Sequence, residues 1–255
     1  MIPKIIHYCW FGGKPKPKLA LHCIESWKKY CPDYEYKEWN ESNFDLDLFP
    51  YAREAYDAKK YAFVTDLVRL YTLYHEGGIY MDTDVELLHT LDPYLHHHAF
   101  SGFETEVQVP TGIMASEKGG KWAKENLDYY IGKSFLLPDG TPDTTTNVQI
   151  ITSIMIKHGL RLDNSYQDIE DYFTMYPSDY FCPKHPGTHI LTLTANSVCI
   201  HHFNMSWQTN YVKRFCLIRD VLMHVLPHNA AKFCARKING FISRTLKLFT
   251  NGKYS

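Results

Sequence analysis

The chain has 255 residues, of which 45% are apolar and 22% are charged, and its net charge is −1. This composition is ordinary for a globular protein, and the length suits one sizeable α/β domain. No run reaches the roughly 20 apolar residues that span a bilayer, and the apolar run after Met1 is too short for a signal peptide. The seven cysteines are scattered and form no CxxC pair, so we expect reduced thiols in a cytoplasmic protein, without a disulfide framework or a zinc site.

Predicted strands and helices alternate in the first part of the chain. Residues 2–11, IPKIIHYCWF, form a short β-rich run that leads into a Gly-Gly turn. Apolar residues at helical spacing predict a helix from Leu19 to Tyr30, and alternation predicts a second strand from Tyr34 to Trp39. This β, α, β order favours an α/β fold with a parallel sheet and crossover helices.

A long helix and then a strand are predicted next. No Pro or Gly interrupts residues 51–75, and Gly77 and Gly78 end this predicted helix. The strand then runs from Ile79 to Leu88. Shorter strands are predicted at residues 99–103, 112–116 and 197–202, and further helices at residues 121–131 and 147–158.

Two carboxylates, Asp82 and Asp84, lie one residue apart in the strand after the Gly-Gly turn. A buried carboxylate needs a compensating partner, because burial strongly disfavours its charge. Alternate residues of a strand face the same side, so both carboxylates are expected at one spot beyond the carboxyl end of the strand. Such an oxygen pair suits Mg²⁺ or Mn²⁺, and two solvated aspartates at a strand end are the alternative.

A charged pair lies on the preceding helix. Asp66 and Arg69 are three residues apart and therefore share one helix face. The Gly-Gly turn folds the helix back on the strand, so these two side chains are expected to converge with Asp82 and Asp84. An ordinary surface ion pair is the alternative.

Three segments in the same order resemble one enzyme family. They are IPKIIHYCWFGGKP at the start, TDLVRLYTLYHEGGIYMDTDVELL in the middle, and HHFNMSW from His201 to Trp207. These segments are similar to glycosyltransferase family 32, which includes bacterial capsule and surface-polysaccharide transferases and the fungal initiating α-1,6-mannosyltransferase, and is related to the glucosylating clostridial cytotoxins. The resemblance implies a GT-A fold, with a single nucleotide-binding mixed sheet flanked by helices, and a nucleotide-sugar donor whose α configuration is retained.

The resemblance also implies catalytic roles for individual residues. Asp84 would coordinate the metal directly, while Asp82 would contact the donor as well as the metal shell. Arg69 would supply positive charge near the diphosphate, and Asp66 would hold hydroxyl groups of the sugar. The catalytic candidates are therefore Asp82, Asp84 and Arg69, with Mn²⁺ or Mg²⁺ as the cofactor.

Further donor contacts are implied at Trp10, Tyr80, Asn147, Ser206 and Trp207. Tyr80 matches an aromatic residue beside the donor, and Trp10 would stack on the nucleobase unless it packs in the core. Ser206 and Trp207 would close over the diphosphate. Asn147 would reach the sugar from a helix start, where capping of the helix is the alternative role.

A histidine is the third candidate metal ligand. His201 and His202 are adjacent, and because neighbouring strand residues face opposite sides, only one of them can point at the metal. We prefer His202, and a histidine ligand would favour Mn²⁺ over Mg²⁺. The tract His96–His98 has no carboxylate nearby in the sequence, so we interpret it as a solvated loop.

Acceptor activation is harder to assign from the sequence. Glu104 and Glu106 are candidates to help an acceptor hydroxyl lose its proton, but exposed residues of an edge strand are the default interpretation. No second carboxylate is an evident nucleophile. We therefore adopt front-face substitution as a hypothesis, in which the departing phosphate accepts the proton of the acceptor.

The C-terminal part of the chain is basic. From Lys213 onward it contains nine lysines and arginines and a single acidic residue, Asp220, with apolar residues between them. This pattern is typical of amphipathic interfacial helices and predicts docking on the inner face of the plasma membrane, with a solvated helical cap as the alternative. We expect a transferase domain at residues 1–210, a basic helical extension at residues 211–255, and no nucleic-acid partner.

The predicted function is transfer of a sugar from a UDP-hexose or UDP-N-acetylhexosamine to a hydroxyl of a surface polysaccharide or lipid-linked oligosaccharide, in a bacterial, capsule-building enzyme. A GDP-mannose-dependent α-mannosyltransferase and a non-catalytic carbohydrate-binding relative are the alternatives. A two-metal phosphohydrolase is disfavoured, because no further carboxylates or histidines cluster near Asp82 in the sequence.

Overall fold

Helices and strands alternate through most of the chain. The computed structural model describes residues 1–105, 107–109, 112–204, 237 and 240. The strands are β1 (Ile5–Cys9), β2 (Glu35–Trp39), β3 (Gly78–Met81), β4 (Val85–Leu87), β5 (Ala99–Gly102), β6 (Ile113–Ser116), β7 (Gln167–Ile169), β8 (Phe173–Tyr176) and β9 (Cys199–His201). The helices are α1 (Lys18–Tyr30), α2 (Pro50–Asp57), α3 (Tyr61–His75), α4 (Lys121–Asp128), α5 (Asn147–Lys157) and α6 (Ser178–Phe181).

The main sheet has seven strands in the order β2-β1-β3-β6-β5-β8-β7. Neighbouring pairs are parallel for β1 with β2, β1 with β3 and β5 with β8, whereas β6 is antiparallel to both β3 and β5. The carboxyl ends of β1, β3, β5 and β8 therefore meet at one edge of the sheet. A separate antiparallel pair is formed by β4 and β9. This mixed sheet flanked by helices confirms the predicted fold class.

Both faces of the main sheet are buried. On β3, Ile79 and Met81 belong to one apolar cluster and Tyr80 to the other, as expected when successive strand residues point to opposite faces. Trp27 of α1 lies in the first cluster, and Leu67 of α3 lies in the second. Burial on both faces explains the nearly continuous apolar runs of these strands, since helices cover each side.

Two predicted elements are divided in the structure. The long helix predicted at residues 51–75 is two helices, α2 and α3, because Lys59 adopts a left-handed backbone conformation with φ of 56°. The strand predicted from Ile79 to Leu88 is likewise two strands, separated by a turn at residues 82–84. The strands β7 and β8 and the short helix α6 were not predicted.

The first of two compact units contains both sheets. It comprises Met1–Pro183 and Leu193–His202. Lys184–Thr192 belong to the second unit, in which Lys184 and Leu191 form an isolated antiparallel bridge.

The predicted extension at residues 211–255, and its boundary at residue 210, lie outside the described residues, except that Lys237 and Gly240 are helical. The two-domain division therefore stays a prediction. Among the described residues, no helix combines the length and the apolarity that crossing a membrane requires.

Candidate active site

The aspartate pair lies in a tight turn between β3 and β4. The backbone N–H of Val85 donates to the carbonyl of Asp82 at 2.9 Å, which closes a four-residue turn over residues 82–85. The N–H of Asp82 donates to the carbonyl of Gly112 at 2.8 Å, so the start of the turn is anchored to the neighbouring strand. The two carboxylates are thus held at the carboxyl edge of the sheet by a turn, whereas the sequence argument relied on strand alternation.

His201 completes a group of three ligand-type side chains. It lies on β9, directly opposite Val85 of β4. Its Nε2 atom is 3.4 Å from Oδ1 of Asp84 and 3.9 Å from Oδ2 of Asp82. One ligand atom from each of the three residues lies within 4.8 Å of the others, and among the described residues this is the group of His, Cys, Asp and Glu with metal-binding spacing.

The preference for His202 as the metal ligand is corrected by this geometry. The Nε2 atom of His202 lies 2.8 Å from Oε2 of Glu86. Glu86 is also 3.2 Å from Nε2 of His22, on α1. The two adjacent histidines do point to different partners, as predicted: His202 contacts Glu86, whereas His201 at the end of β9 faces the aspartates. Nothing in the local sequence HHF separates the two orientations.

A glycine makes room for the imidazole of His201. A Cβ atom at Gly112 would lie 2.6 Å from Nδ1 and 2.8 Å from Cε1 of His201. Real Cβ atoms are not found at such distances, so a side chain at position 112 would displace the ring. Gly112 is therefore part of the site, although the sequence indicates it only as the first residue of a predicted strand.

Arg69 connects the helix α3 to the turn. Its Nη2 atom lies 3.2 Å from Oδ1 of Asp66 and 3.4 Å from Oδ1 of Asp82, and its side chain is only 5% exposed. The guanidinium carbon lies 4.5 Å from the ring centroid of Tyr80, whose hydroxyl donates to Oδ1 of Asp82 at 2.9 Å. Asp66, Arg69 and Asp82 thus converge as predicted. Tyr80 is buried and contacts Arg69 and Asp82.

Burial and crowding of charge shift the pKa values of this cluster. Burial raises the pKa of Asp82, while Arg69 and His201 oppose that rise. Burial likewise raises the pKa of Asp66 to about 6, against the influence of Arg69. For His201, burial lowers the pKa, but Asp84 and Asp82 outweigh it and raise the pKa overall. A divalent cation would stabilise the ionised carboxylates, and two carboxylate oxygens with one imidazole nitrogen fit such an ion.

Asn147 supports Asp66 from the start of α5. Thr146 caps this helix through a reciprocal capping box with Gln149, so Thr146 rather than Asn147 has the capping role. The side-chain amide of Asn147 donates to the backbone carbonyl of Asp66 at 3.3 Å. Hydrogen bonds from Asn147 also oppose the burial that raises the pKa of the Asp66 carboxyl. The structure therefore brings Asn147 to the candidate site.

The remaining predicted donor contacts are only partly described. Trp10 follows the carboxyl end of β1, which is parallel to β3, so it lies at the same edge of the sheet as the aspartates. It is partly exposed, and its Nε1 atom donates to the carbonyl of Lys14 at 2.5 Å. Ser206 and Trp207 lie outside the described residues. The contacts of Trp10, Ser206 and Trp207 with a donor stay predictions.

Comparison with known proteins points to the same enzyme family. Residues 17–101 match the family described as "Glycosyltransferase sugar-binding region containing DXD motif", and this range includes Asp66, Arg69, Asp82 and Asp84. Inositol phosphoceramide mannosyltransferase 3 of Schizosaccharomyces pombe is 34% identical over 130 residues, which are 46% of this chain and 34% of that protein. These matches support a glycosyltransferase of the family-32 type. The resemblance found in the sequence is thereby confirmed, and these matches support an enzyme of the transferase class.

Other similar proteins extend the match along the chain. Inositol phosphoceramide mannosyltransferase 2 of Schizosaccharomyces pombe is 26% identical over 257 residues, covering 84% of this chain and 72% of that protein. Among solved structures, the PaToxG glycosyltransferase has a TM-score of 0.45 at 20% identity, covering 62% of this chain and 71% of that one. The chain spans about a third of the length of three of the curated relatives that it matches.

Proposed function

We propose that this glycosyltransferase moves a hexose from a nucleoside diphosphate sugar to a hydroxyl group, with retention of configuration, and that the reaction depends on a divalent cation held by Asp82, Asp84 and His201. The observation that carries the proposal is the convergence of these three side chains at the carboxyl edge of the sheet. Open α/β sheets bind their ligands at this edge.

The chemistry follows from the charges at this edge. When bound, a divalent cation such as Mn²⁺ would neutralise negative charge on the diphosphate that leaves. Arg69 adds a fixed positive charge 3.4 Å from Asp82, in a buried setting where electrostatic effects are strong. The bond from the anomeric carbon to the phosphate oxygen breaks as a bond to the acceptor oxygen forms on the same face. The acceptor proton passes to the departing phosphate.

A mannosyl donor heads the candidates for the sugar. The similar curated proteins are named as mannosyltransferases, which supports GDP-mannose over the UDP-hexoses favoured from the sequence. Trp10, partly exposed at the donor edge, is the proposed contact for the base of either nucleotide. Ser206 and Trp207 are proposed to contact the diphosphate, as the resemblance implies.

The proposed acceptor is a hydroxyl of a saccharide or of a lipid-linked saccharide. The names of the similar curated proteins refer to inositol phosphoceramide, which supports a lipid-linked acceptor. We propose that the basic C-terminal part brings the enzyme to the inner face of the plasma membrane. Flotation of the full chain with anionic liposomes, compared with a truncation before Lys213, tests this part of the proposal. Bacterial origin and a role in capsule synthesis stay predictions from the sequence.

The activity is tested by a screen of nucleotide sugars. Purified protein is incubated with GDP-mannose, UDP-galactose, UDP-glucose, UDP-N-acetylgalactosamine or UDP-N-acetylglucosamine, each with and without Mn²⁺, beside an Asp84→Ala variant. We expect one donor to raise the melting temperature and to be slowly hydrolysed, only with metal and only with Asp84 intact. A fold that binds a sugar without any turnover would favour the non-catalytic alternative.

A further inference from the structure

Glu104 lies at the same sheet edge as the aspartate pair. It follows β5, which points in the same direction as β3, because β6 lies between them and is antiparallel to both. Asp82 and Glu104 therefore both follow strands at their carboxyl ends. Two strand spacings separate β3 from β5, which is about 10 Å.

The imidazole of His201 occupies part of the space between these two strand ends. Gly112 lies just before β6, where its carbonyl accepts the hydrogen bond from Asp82, and the His201 ring covers it. Glu104 influences this ring electrostatically and helps to raise the pKa of His201. Glu104 is thus next to the candidate metal site, but it is not a member of the three-residue group with metal-binding spacing.

The backbone around Glu104 is firmly anchored. Phe103 is fully buried, and its N–H donates to the carbonyl of Tyr176 at 2.9 Å. The N–H of Glu104 donates to the carbonyl of Gln108, also at 2.9 Å. These contacts hold Glu104 at the edge, although the sequence suggested an ordinary exposed strand residue.

The carboxylate of Glu104 differs from its acidic neighbours. Asp66 and Asp82 lie beside Arg69, and Glu86 lies beside His202. Among the described residues, no hydrogen bond reaches the Glu104 carboxylate, which is only partly exposed. Burial raises its pKa, with His201 opposing and Asp82 adding to the rise. A partly buried carboxylate that accepts no hydrogen bond is costly. A hydrogen-bond donor for Glu104 must therefore come from solvent or from a ligand.

We propose that Glu104 binds the acceptor, and that its carboxylate accepts the hydrogen bond of the hydroxyl that attacks the donor sugar. This inference rests on the proposed glycosyltransferase function and adds a residue for the acceptor side. The reacting sugar would then lie above this sheet edge, between the metal group and Glu104. Glu104 orients the acceptor oxygen, takes its proton as the new glycosidic bond forms and passes that proton to the departing phosphate, so the carboxylate is ionised again at the end of the reaction.

The test separates donor binding from use of the acceptor. Glu104→Gln is compared with the wild type and with Glu25→Gln, a control at an exposed carboxylate on α1. Dissociation constants for GDP-mannose and UDP-glucose are measured with Mn²⁺ by calorimetry. Turnover is measured with water and with methyl α-D-mannopyranoside as acceptors. We expect Glu104→Gln to leave donor affinity unchanged and to lower turnover with either acceptor by about 10- to 100-fold, the usual effect of losing a hydrogen bond to a charged group.

Other results would overturn the inference. Unchanged turnover in Glu104→Gln means that Glu104 does not touch the acceptor, and a parallel loss of donor affinity means that it acts on the donor. A wild-type protein without metal-dependent donor binding or hydrolysis contradicts the proposed function, and the inference with it. Thermal unfolding adds a further check. Because the Glu104 carboxylate accepts no hydrogen bond from the described residues, Glu104→Gln should not lower the melting temperature, whereas a purely structural role of Glu104 predicts a clear decrease.

Discussion

Two clusters of titratable side chains lie at opposite edges of the main sheet. One is the candidate metal group of Asp82, Asp84 and His201 at the carboxyl ends of the strands. The other is the tract His96–His98 at the amino ends of β5 and β8, which lines a cavity of about 320 Å³ together with Asp168 and other residues. By residue type alone, the second cluster offers more histidines than the first.

Hydrogen bonds already occupy both ring nitrogens of His97, the half-buried histidine of the second cluster. Thr174 donates to Asp168 at 2.9 Å, so its oxygen accepts from Nδ1 of His97 at 3.0 Å. The Nε2 atom of His97 then accepts from the hydroxyl of Tyr176 at 2.7 Å. Burial lowers the pKa of His97 to about 4, which keeps the ring neutral. This chain of bonds leaves His97 no nitrogen for a metal.

The first cluster has the opposite character. Its carboxylates are crowded and partly buried, and burial raises the pKa of Asp82, and of the nearby Asp66, despite the adjacent Arg69. Residues of metal-ligand type therefore indicate a metal site when their spacing fits an ion and their negative charge is not yet balanced. The number of such residues alone does not indicate one. The interpretation of His96–His98 as a loop agrees with the structure, although His97 within it is half-buried.

The largest effect is expected from Arg69→Ala. This change leaves the partly buried carboxylates of Asp66 and Asp82 without the buried cation that they share, and breaking a buried pair costs about 3–5 kcal/mol. Urea denaturation should show this loss. Arg53→Ala, which removes an exposed arginine beside Asp47, is the control and should change stability little. Equal losses of stability in the two variants would mean that the ion pairs of Arg69 stabilise the fold no more than an exposed ion pair does.

Asp84→Asn should separate function from stability. We expect turnover to fall by about 10²- to 10³-fold, as when a group that stabilises transition-state charge is removed. The metal-free protein should nearly keep its melting temperature, because relief of the repulsion between Asp84 and Asp82 offsets the lost contact between Asp84 and His201. Chelation of metal from the wild type should reproduce the loss of turnover. Full activity of Asp84→Asn would contradict the role of Asp84 as a metal ligand.

Gly112→Ala should disturb the site through His201. The added methyl group meets the imidazole, and overpacking of this kind costs about 1–3 kcal/mol. If the clash with the ring is the cause, combining Gly112→Ala with His201→Ala should recover much of the lost stability. Strictly additive effects in this double-mutant cycle would assign the loss to the backbone instead.

A smaller effect is expected from the pH dependence of Asp66. Its pKa in the folded protein is raised to about 6 by burial, above its value in the unfolded chain, so ionisation destabilises the fold. Stability should therefore fall, relative to Asp66→Asn, as the pH rises from about 4 through 6. The comparison is made by urea denaturation of both metal-free proteins across this range. A difference that does not change with pH would show that Asp66 keeps an ordinary pKa.

The smallest effect is expected at the histidine-rich edge. His96 is exposed, and its Nδ1 atom lies 2.8 Å from the carbonyl of Pro93. His96→Ala should leave Mn²⁺ affinity and turnover unchanged, as measured by metal titration and donor hydrolysis. A marked loss of Mn²⁺ affinity in His96→Ala would mean that the metal binds at the histidine-rich edge instead of at the aspartate pair.

The sequence predicted the parts of the site that depend on local pattern. The 3-residue spacing of Asp66 and Arg69 on one helix, the Gly-Gly turn and the Asp82–Asp84 pair were enough to bring those side chains together. The α/β class followed from the order of apolar runs. Short strands such as β7 and β8 were missed because three or four residues carry too little periodicity to be recognised.

The rest of the site depends on contacts between distant segments. Whether His201 or His202 faces the aspartates is decided by Glu86, more than 100 residues away in the chain. The role of Gly112 becomes visible only when β9 brings an imidazole against it. Such choices are made by packing, which a single sequence does not record.

The most direct test of the metal site compares the two adjacent histidines. Mn²⁺ affinity is measured by calorimetry for His201→Ala and His202→Ala in the presence of the donor found by the screen. The structure predicts that His201→Ala weakens Mn²⁺ binding by about 10-fold or more, whereas His202→Ala has a much smaller effect through its contact with Glu86. A larger loss in His202→Ala than in His201→Ala would contradict the site described here.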